Sequence, residues 1–174
     1  MKKNSPAQRA AITGILASLA IATAFLERAV CAALPLPPGV RPGLSNIIVT
    51  FACTAMGFPY ALGIAAVKSA FTLLSAGVWA GILSFSGGMI SVTATALLLR
   101  YAKKLSYAGV SVISACLHNL SQLFAVSLLS GSGAYWYLAP VLLLSGAGFG
   151  LLTGTALNAV IPALRKLFPF IKKG

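Results

Sequence analysis

The sequence predicts an all-α integral membrane protein: a bundle of six transmembrane helices with both termini cytoplasmic. Three observations predict it. Only 8% of the residues are charged and 59% are hydrophobic, with a mean hydropathy of +0.95. A soluble domain carries about 25% charged residues, and a globule with so few could not solvate its surface. Long apolar runs recur along the chain, broken by Gly/Pro stretches or by basic clusters. Thirteen Lys and Arg stand against a single acid, Glu27, and most of them sit where a run ends.

The elements follow in order, as one membrane domain over residues 1–174. Lys2, Lys3 and Arg9 precede an apolar run that predicts a first helix over about 8–29. The run is long, Glu27-Arg28 follows it, and no clean small-residue cleavage site appears, so a retained span is expected rather than a cleaved signal peptide. "CAALPLPPGVRPG" (31–43) has four prolines and two glycines and reads as an outer loop. Apolar sequence resumes at Leu44. "MGFPY" (56–60) divides it into two short helices, about 44–57 and 58–77. A glycine-rich link, "SAGVWAGILSFSGG" (75–88), leads into a fourth helix at about 84–101, which ends on "RYAKK". A fifth is expected over 107–130, then a turn at "SGSG", then a sixth over 135–163 containing Gly146, Gly148, Gly150 and Gly154.

Charge tests this count. Basic residues favour the cytoplasmic ends of spans. Six helices place ten of the thirteen inside, from Lys2, Lys3 and Arg9 through Arg100, Lys103 and Lys104 to the four near the C-terminus. Arg28 and Arg41 lie outside and Lys68 lies within the membrane. A net charge of +12 therefore speaks for topology and anionic lipid rather than for nucleic acid.

Polar groups at membrane depth are the candidates for function. Lys68 falls mid-helix in "LGIAAVKSAFTLL". A charge there costs about 2.5–3.5 kcal/mol or more, and headgroups lie ~15 Å away along the helix. A pocket or an ion pair suits it better than snorkelling. The fifth helix carries "SACLHNLSQL" (114–123), with the only histidine in the chain. His118 and Gln122 are four apart and share a face with Ser111 and Ser114. The serines read as packing glue between helices; His118 and Gln122 read as ligand-facing, and Asn119 suits either role. Glu27, Arg28, Arg41 and Asn46 fall at the outer level, where they would line a mouth above Lys68 and His118. Such an inventory suits a small ligand with an anionic or carbonyl-rich part. On the first helix Ala10, Gly14, Ser18 and Ala22 recur at intervals of four, a stripe that permits close approach of another helix, within the chain or from a partner.

Several chemistries are missing. There is no P-loop and no metal-ligand cluster among Cys31, Cys53, Cys116 and His118. With one acid the chain can build neither a Ser-His-Asp triad nor a magnesium-diphosphate site. No catalytic residue, metal or cofactor is expected, and the chain reads as a non-enzyme.

"LPLPPGVRPGLSN" (34–46), "FSGGMIS" (85–91), "HNLSQL" (118–123) and "YLAPVLLLSGAGFGLLTG" (137–154) together resemble the Gx transporter family, also labelled heptaprenyl diphosphate synthase component I. The resemblance covers about residues 10–163. Its most specific parts fall on Pro38, Gly39, Gly43, Leu44 and Asn46, and on His118, Asn119 and Gln122; Arg41-Pro42 stands where relatives often have Lys-Leu. That family is similar in architecture to the substrate-binding S components of energy-coupling factor (ECF) transporters. The resemblance implies an outward pocket beneath the first loop and a multi-pass protein of a prokaryotic cell membrane. It also implies a transmembrane coupling subunit met by the small residues of the first helix, and two cytoplasmic ATPases. Lys68, His118, Asn119, Gln122, Asn46, Arg41 and Glu27 are the expected substrate-binding residues. The substrate would be a small vitamin- or precursor-like molecule, anionic or isoprenoid-related. The alternative reading is a non-catalytic membrane accessory subunit of polyprenyl diphosphate or quinone biosynthesis.

Overall fold

The computed structural model describes residues 5–33 and 43–167, with side chains described through Pro162. Six α-helices follow one another: α1 (Pro6–Ala33), α2 (Leu44–Ala55), α3 (Phe58–Ala76), α4 (Val78–Tyr101), α5 (Tyr107–Ser130) and α6 (Ala139–Leu167). A 3₁₀ turn over Gly133–Leu138 leads into α6. Local chemistry starts the helices. Ser5 and Gln8 form a reciprocal capping box at α1, each side chain accepting the other's backbone N–H. Pro59 lies in the first turn of α3. Ser106 caps α5 by accepting the Gly109 N–H at 3.2 Å.

Two expectations are revised. Five helices are long and apolar enough to cross a membrane, and α2 is not among them: it has 12 residues, or ~18 Å. The expected link 75–88 is helical over most of its length, because α4 begins at Val78, directly after Gly77. Gly57 (φ 102°, ψ 173°) and Gly77 (φ 89°, ψ 171°) make this possible. That backbone region is open essentially to glycine alone, so the chain reverses within two residues at Met56-Gly57 and within one at Gly77. Of the glycines in the expected glycine-rich link only Gly77 acts as the breaker; Gly81, Gly87 and Gly88 lie inside α4.

The tight turns make consecutive helices antiparallel and sort their ends. Thr13 meets the Met56 sulfur at 3.9 Å at one end of the bundle. Arg28 donates to Ser75 at 3.0 Å and lies over the Phe71 ring at the other. Arg9, Arg100, Lys103 and Lys104 all belong to the first end, which is called the basic end below.

α1, α2 and α3 pack around Ala20, Ile48, Ala52, Ala61 and Ile64, with Val92 of α4 joining them. α2 touches α1, α3, α4 and α6, so it closes the ring of helices. The α5–α6 pair is held by a glycine register. A Cβ on Gly154 would lie 2.4 Å from Ala108 Cα, and one on Gly150 would lie 2.8 Å from Val112 Cα. Backbones this close gain dispersion contacts that larger side chains would forbid.

The burial pattern is that of a multi-pass membrane protein. Leu74, Leu128 and Leu144 are exposed, while Lys68, Glu27, Thr95, Ser111 and Ser114 are buried. Such an arrangement puts hydrocarbon outside and polar groups within.

Gly154→Leu is expected to destabilise the bundle by about 1–3 kcal/mol, since α5 and α6 must separate. Gly148→Ala, where a Cβ meets nothing within 4 Å, is expected to stay within about 0.5 kcal/mol. Thermal melts in detergent compare the two; equal losses would disprove the register.

Candidate ligand-binding site

The α1–α3 half and the α4–α6 half enclose a cavity of about 90 Å³. Every helix contributes to its wall. Of the seven substrate-binding residues expected from the sequence, Glu27, Asn46, Lys68, His118, Asn119 and Gln122 all line it. Arg41 lies outside the described residues.

The shortness of α2 builds one side. Lys68 is ten residues from the start of α3, and Asn46 is nine from the end of α2. Both therefore stand ~15 Å from the basic end at 1.5 Å per residue. Lys68 Nζ donates to Asn46 Oδ1 at 2.9 Å and to Ser45 Oγ at 3.4 Å. A span-length α2 would carry these acceptors past the lysine. Glu27, buried on α1, accepts the backbone N–H of Gly43, the residue that leads into α2. The only acid of the chain thus ties α1 to the start of α2.

The opposite side is α5. His118 Nδ1 lies 3.4 Å from Ser91 Oγ of α4. Asn119 Nδ2 donates to the Leu142 carbonyl of α6 at 2.6 Å, and Gln122 Nε2 donates to the Leu83 carbonyl of α4 at 3.3 Å. Each of the three is bonded to a neighbouring helix, as packing glue would be. Each amide spends an N–H on that bond, and both residues also line the cavity.

Two glycines make room for this row. A Cβ on Gly87 would strike the His118 ring at 2.7–2.9 Å. A Cβ on Gly146 would lie 2.8 Å from Asn119 Nδ2. His118 thus sits in a slot in α4, and Asn119 in a slot in α6. Neither glycine stands out in sequence as a site residue, because its contribution is an absent side chain.

Further lining residues went unread. Ser84, Ser91 and Thr95 line the cavity from α4. Their spacing of seven and four places them on one face, and that periodic hydroxyl face was the available signal. Thr95 Oγ1 and Ser114 Oγ share a 2.8 Å hydrogen bond across α4 and α5. Ser111 is buried on the cavity wall, and its Oγ has no hydrogen-bond partner among the described residues.

Ala10, Gly14, Ser18 and Ala22 all lie on an exposed face of α1, and Gly14 has no neighbour within 4 Å of a built Cβ. The stripe is not used for packing inside the bundle.

A family model described as heptaprenyl diphosphate synthase component I matches residues 16–174. The chain belongs to this family. Comparison with curated proteins found no match, and comparison with solved structures found none either. The matched span includes α2–α5 whole, and with them Asn46, Lys68, His118, Asn119 and Gln122. "Component I" names a protein that works beside another subunit.

With a single histidine in the chain, ¹⁵N-histidine labelling yields one imidazole to follow. Gly87→Ala is expected to shift both ring resonances by displacing the ring from its slot. Ser91→Ala is expected to move Nδ1 chiefly. Unmoved signals in Gly87→Ala would refute the packing described.

Proposed function

We propose that this protein is the membrane-embedded substrate-binding subunit of an ECF-type importer, taking up a small vitamin- or precursor-like molecule. The observation that carries this reading is the cavity itself. Lys68, Asn46, His118, Asn119 and Gln122 come from three helices and converge on one buried space. Building such a wall in hydrocarbon is costly, and a ligand that hydrogen-bonds to it offsets the cost. On this reading the basic end faces the cytoplasm of a prokaryotic cell, as the positive-inside rule requires, and both termini lie there. The cavity mouth at Glu27, Arg28 and Gly43 then opens outward.

The reading needs partners. Transport requires an energy source, and the chain has no nucleotide motif. A transmembrane coupling subunit with two cytoplasmic ATPases supplies it, and the exposed Ala10–Gly14–Ser18–Ala22 face of α1 is a flat surface for that subunit. The protein itself is not an enzyme on this reading: no second carboxylate accompanies Glu27, which already holds the Gly43 amide.

One observation favours a second reading. The family description points to polyprenyl diphosphate synthesis, in which this chain would be a non-catalytic membrane accessory subunit. Against a role in holding the prenyl chain, the cavity wall is mostly hydroxyl, amide and glycine.

Native mass spectrometry of the gently purified protein separates the two. A small polar ligand is expected to be retained, together with a membrane coupling subunit. Once the ligand is named, Lys68→Ala and His118→Ala are each expected to weaken its binding by about tenfold or more, the loss of one charge-assisted hydrogen bond. Full affinity in both variants would remove the site assignment. Co-purification with an aspartate-rich soluble chain, and with no coupling subunit, would favour the accessory role.

A further inference from the structure

The cavity is stratified along the membrane normal, and its layers differ in chemistry. Lys68, Asn46, Ser91 and His118 stand ~14–16 Å from the basic end. This level, called the waist below, has an ammonium on one side and an imidazole on the other. Below the waist the wall is uncharged. Thr95 is six residues, and Ser111 four, from the basic ends of their helices, at ~9 and ~6 Å. Ser114 is bonded to Thr95 there, while the buried Ser111 Oγ lacks a partner among the described residues. A hydroxyl buried without a partner is unfavourable, and a ligand group that reaches it recovers that cost. The charged residues of the lining are Lys68, Arg28 and Glu27, two cations against one anion.

From this layering we infer that the cavity takes a compact, polar anion, charged at one end, in one orientation. Its carboxylate or phosphate sits at the Lys68–Asn46 waist, and its uncharged, hydrogen-bonding end reaches down to the hydroxyl floor at Ser111. The inference rests on the ligand-binding reading above and adds the charge and the direction of the ligand. A cation would meet the Lys68 ammonium at that level. A second negative charge at the floor would find only neutral groups there.

The chain carries its own reporter. Cys53 lines the cavity from α2, two residues from the basic end of that helix and so ~10 Å below Asn46. It lies on the opposite side of the Lys68–Asn46 level from Glu27 and Arg28. In the full-length protein with Cys31→Ser and Cys116→Ser, Cys53 is the single thiol. Two methanethiosulfonates are compared, one bearing a sulfonate and one a trimethylammonium. Each reaction forms a disulfide at Cys53 and releases methanesulfinate. Rates are divided by those of free cysteine. The anionic reagent is expected to be favoured by about tenfold, as a cation-lined cleft concentrates anions. Lys68→Met is expected to bring the ratio to within about twofold of free cysteine, and Lys68→Arg to keep most of the preference. Inorganic phosphate and acetate, added separately, are each expected to slow labelling if they occupy the waist, and the stronger protector identifies the anionic group.

A flat ratio, or one that Lys68→Met leaves unchanged, overturns the charge assignment. An unreactive Cys53 in folded protein overturns the passage to the floor. Either result in protein that still retains a small ligand by native mass spectrometry defeats only this inference; absence of any retained ligand defeats the ligand-binding reading as well.

Discussion

An ammonium group at membrane depth must be given oxygen atoms by its own protein, and much of this structure follows from that need. Lys68 lies in the middle of α3 and is buried. Its acceptors are Asn46 and Ser45, and both belong to the first turn of α2. They stand at the right height only because α2 is 12 residues long and starts well below the outer end of α3. Glu27 then ties α1 to the start of this short helix through Gly43. One buried cation thereby accounts for the length of α2, the use of the only acid, and the position of the cavity.

The opposite wall obeys the same rule by different means. The polar side chains of α5 bond to α4 or α6, and the same residues line the cavity. Close approach of the helices is required for those bonds, and glycine supplies it. Gly87 admits the His118 ring, Gly146 admits the Asn119 amide, and Gly150 and Gly154 bring the α6 backbone onto α5. Binding chemistry and packing are therefore coupled here. A substitution that disturbs the glycine register also displaces the groups that would meet a ligand.

The exterior has the opposite character. Leucine and aromatic side chains face outward on every long helix, as lipid requires, and the small-residue stripe of α1 interrupts that cover. The same helix contributes Glu27 and Arg28 to the cavity lining on another face.

Much of this was legible in sequence. Sparse charge and long apolar runs determine a membrane bundle, because no soluble packing could hide that much hydrocarbon. The rarity of polar residues within the runs made Lys68, His118, Asn119 and Gln122 conspicuous, and Asn46 and Glu27 were found from their level in the topology. The tertiary structure alone decided which of these meet. Lys68 pairs with Asn46 of α2, a helix that the sequence reads as a span and that is too short to be one, and the amides of α5 bond to α4 and α6. It also revealed the residues that act through absence or repetition: the slots at Gly87 and Gly146, and the hydroxyl face of α4. A glycine has no side chain to advertise a role, and a serine in a membrane helix looks the same whether it bonds to its own backbone or lines a cavity. Composition determines the solvent of a membrane protein; the small distances between its helices determine what it can hold.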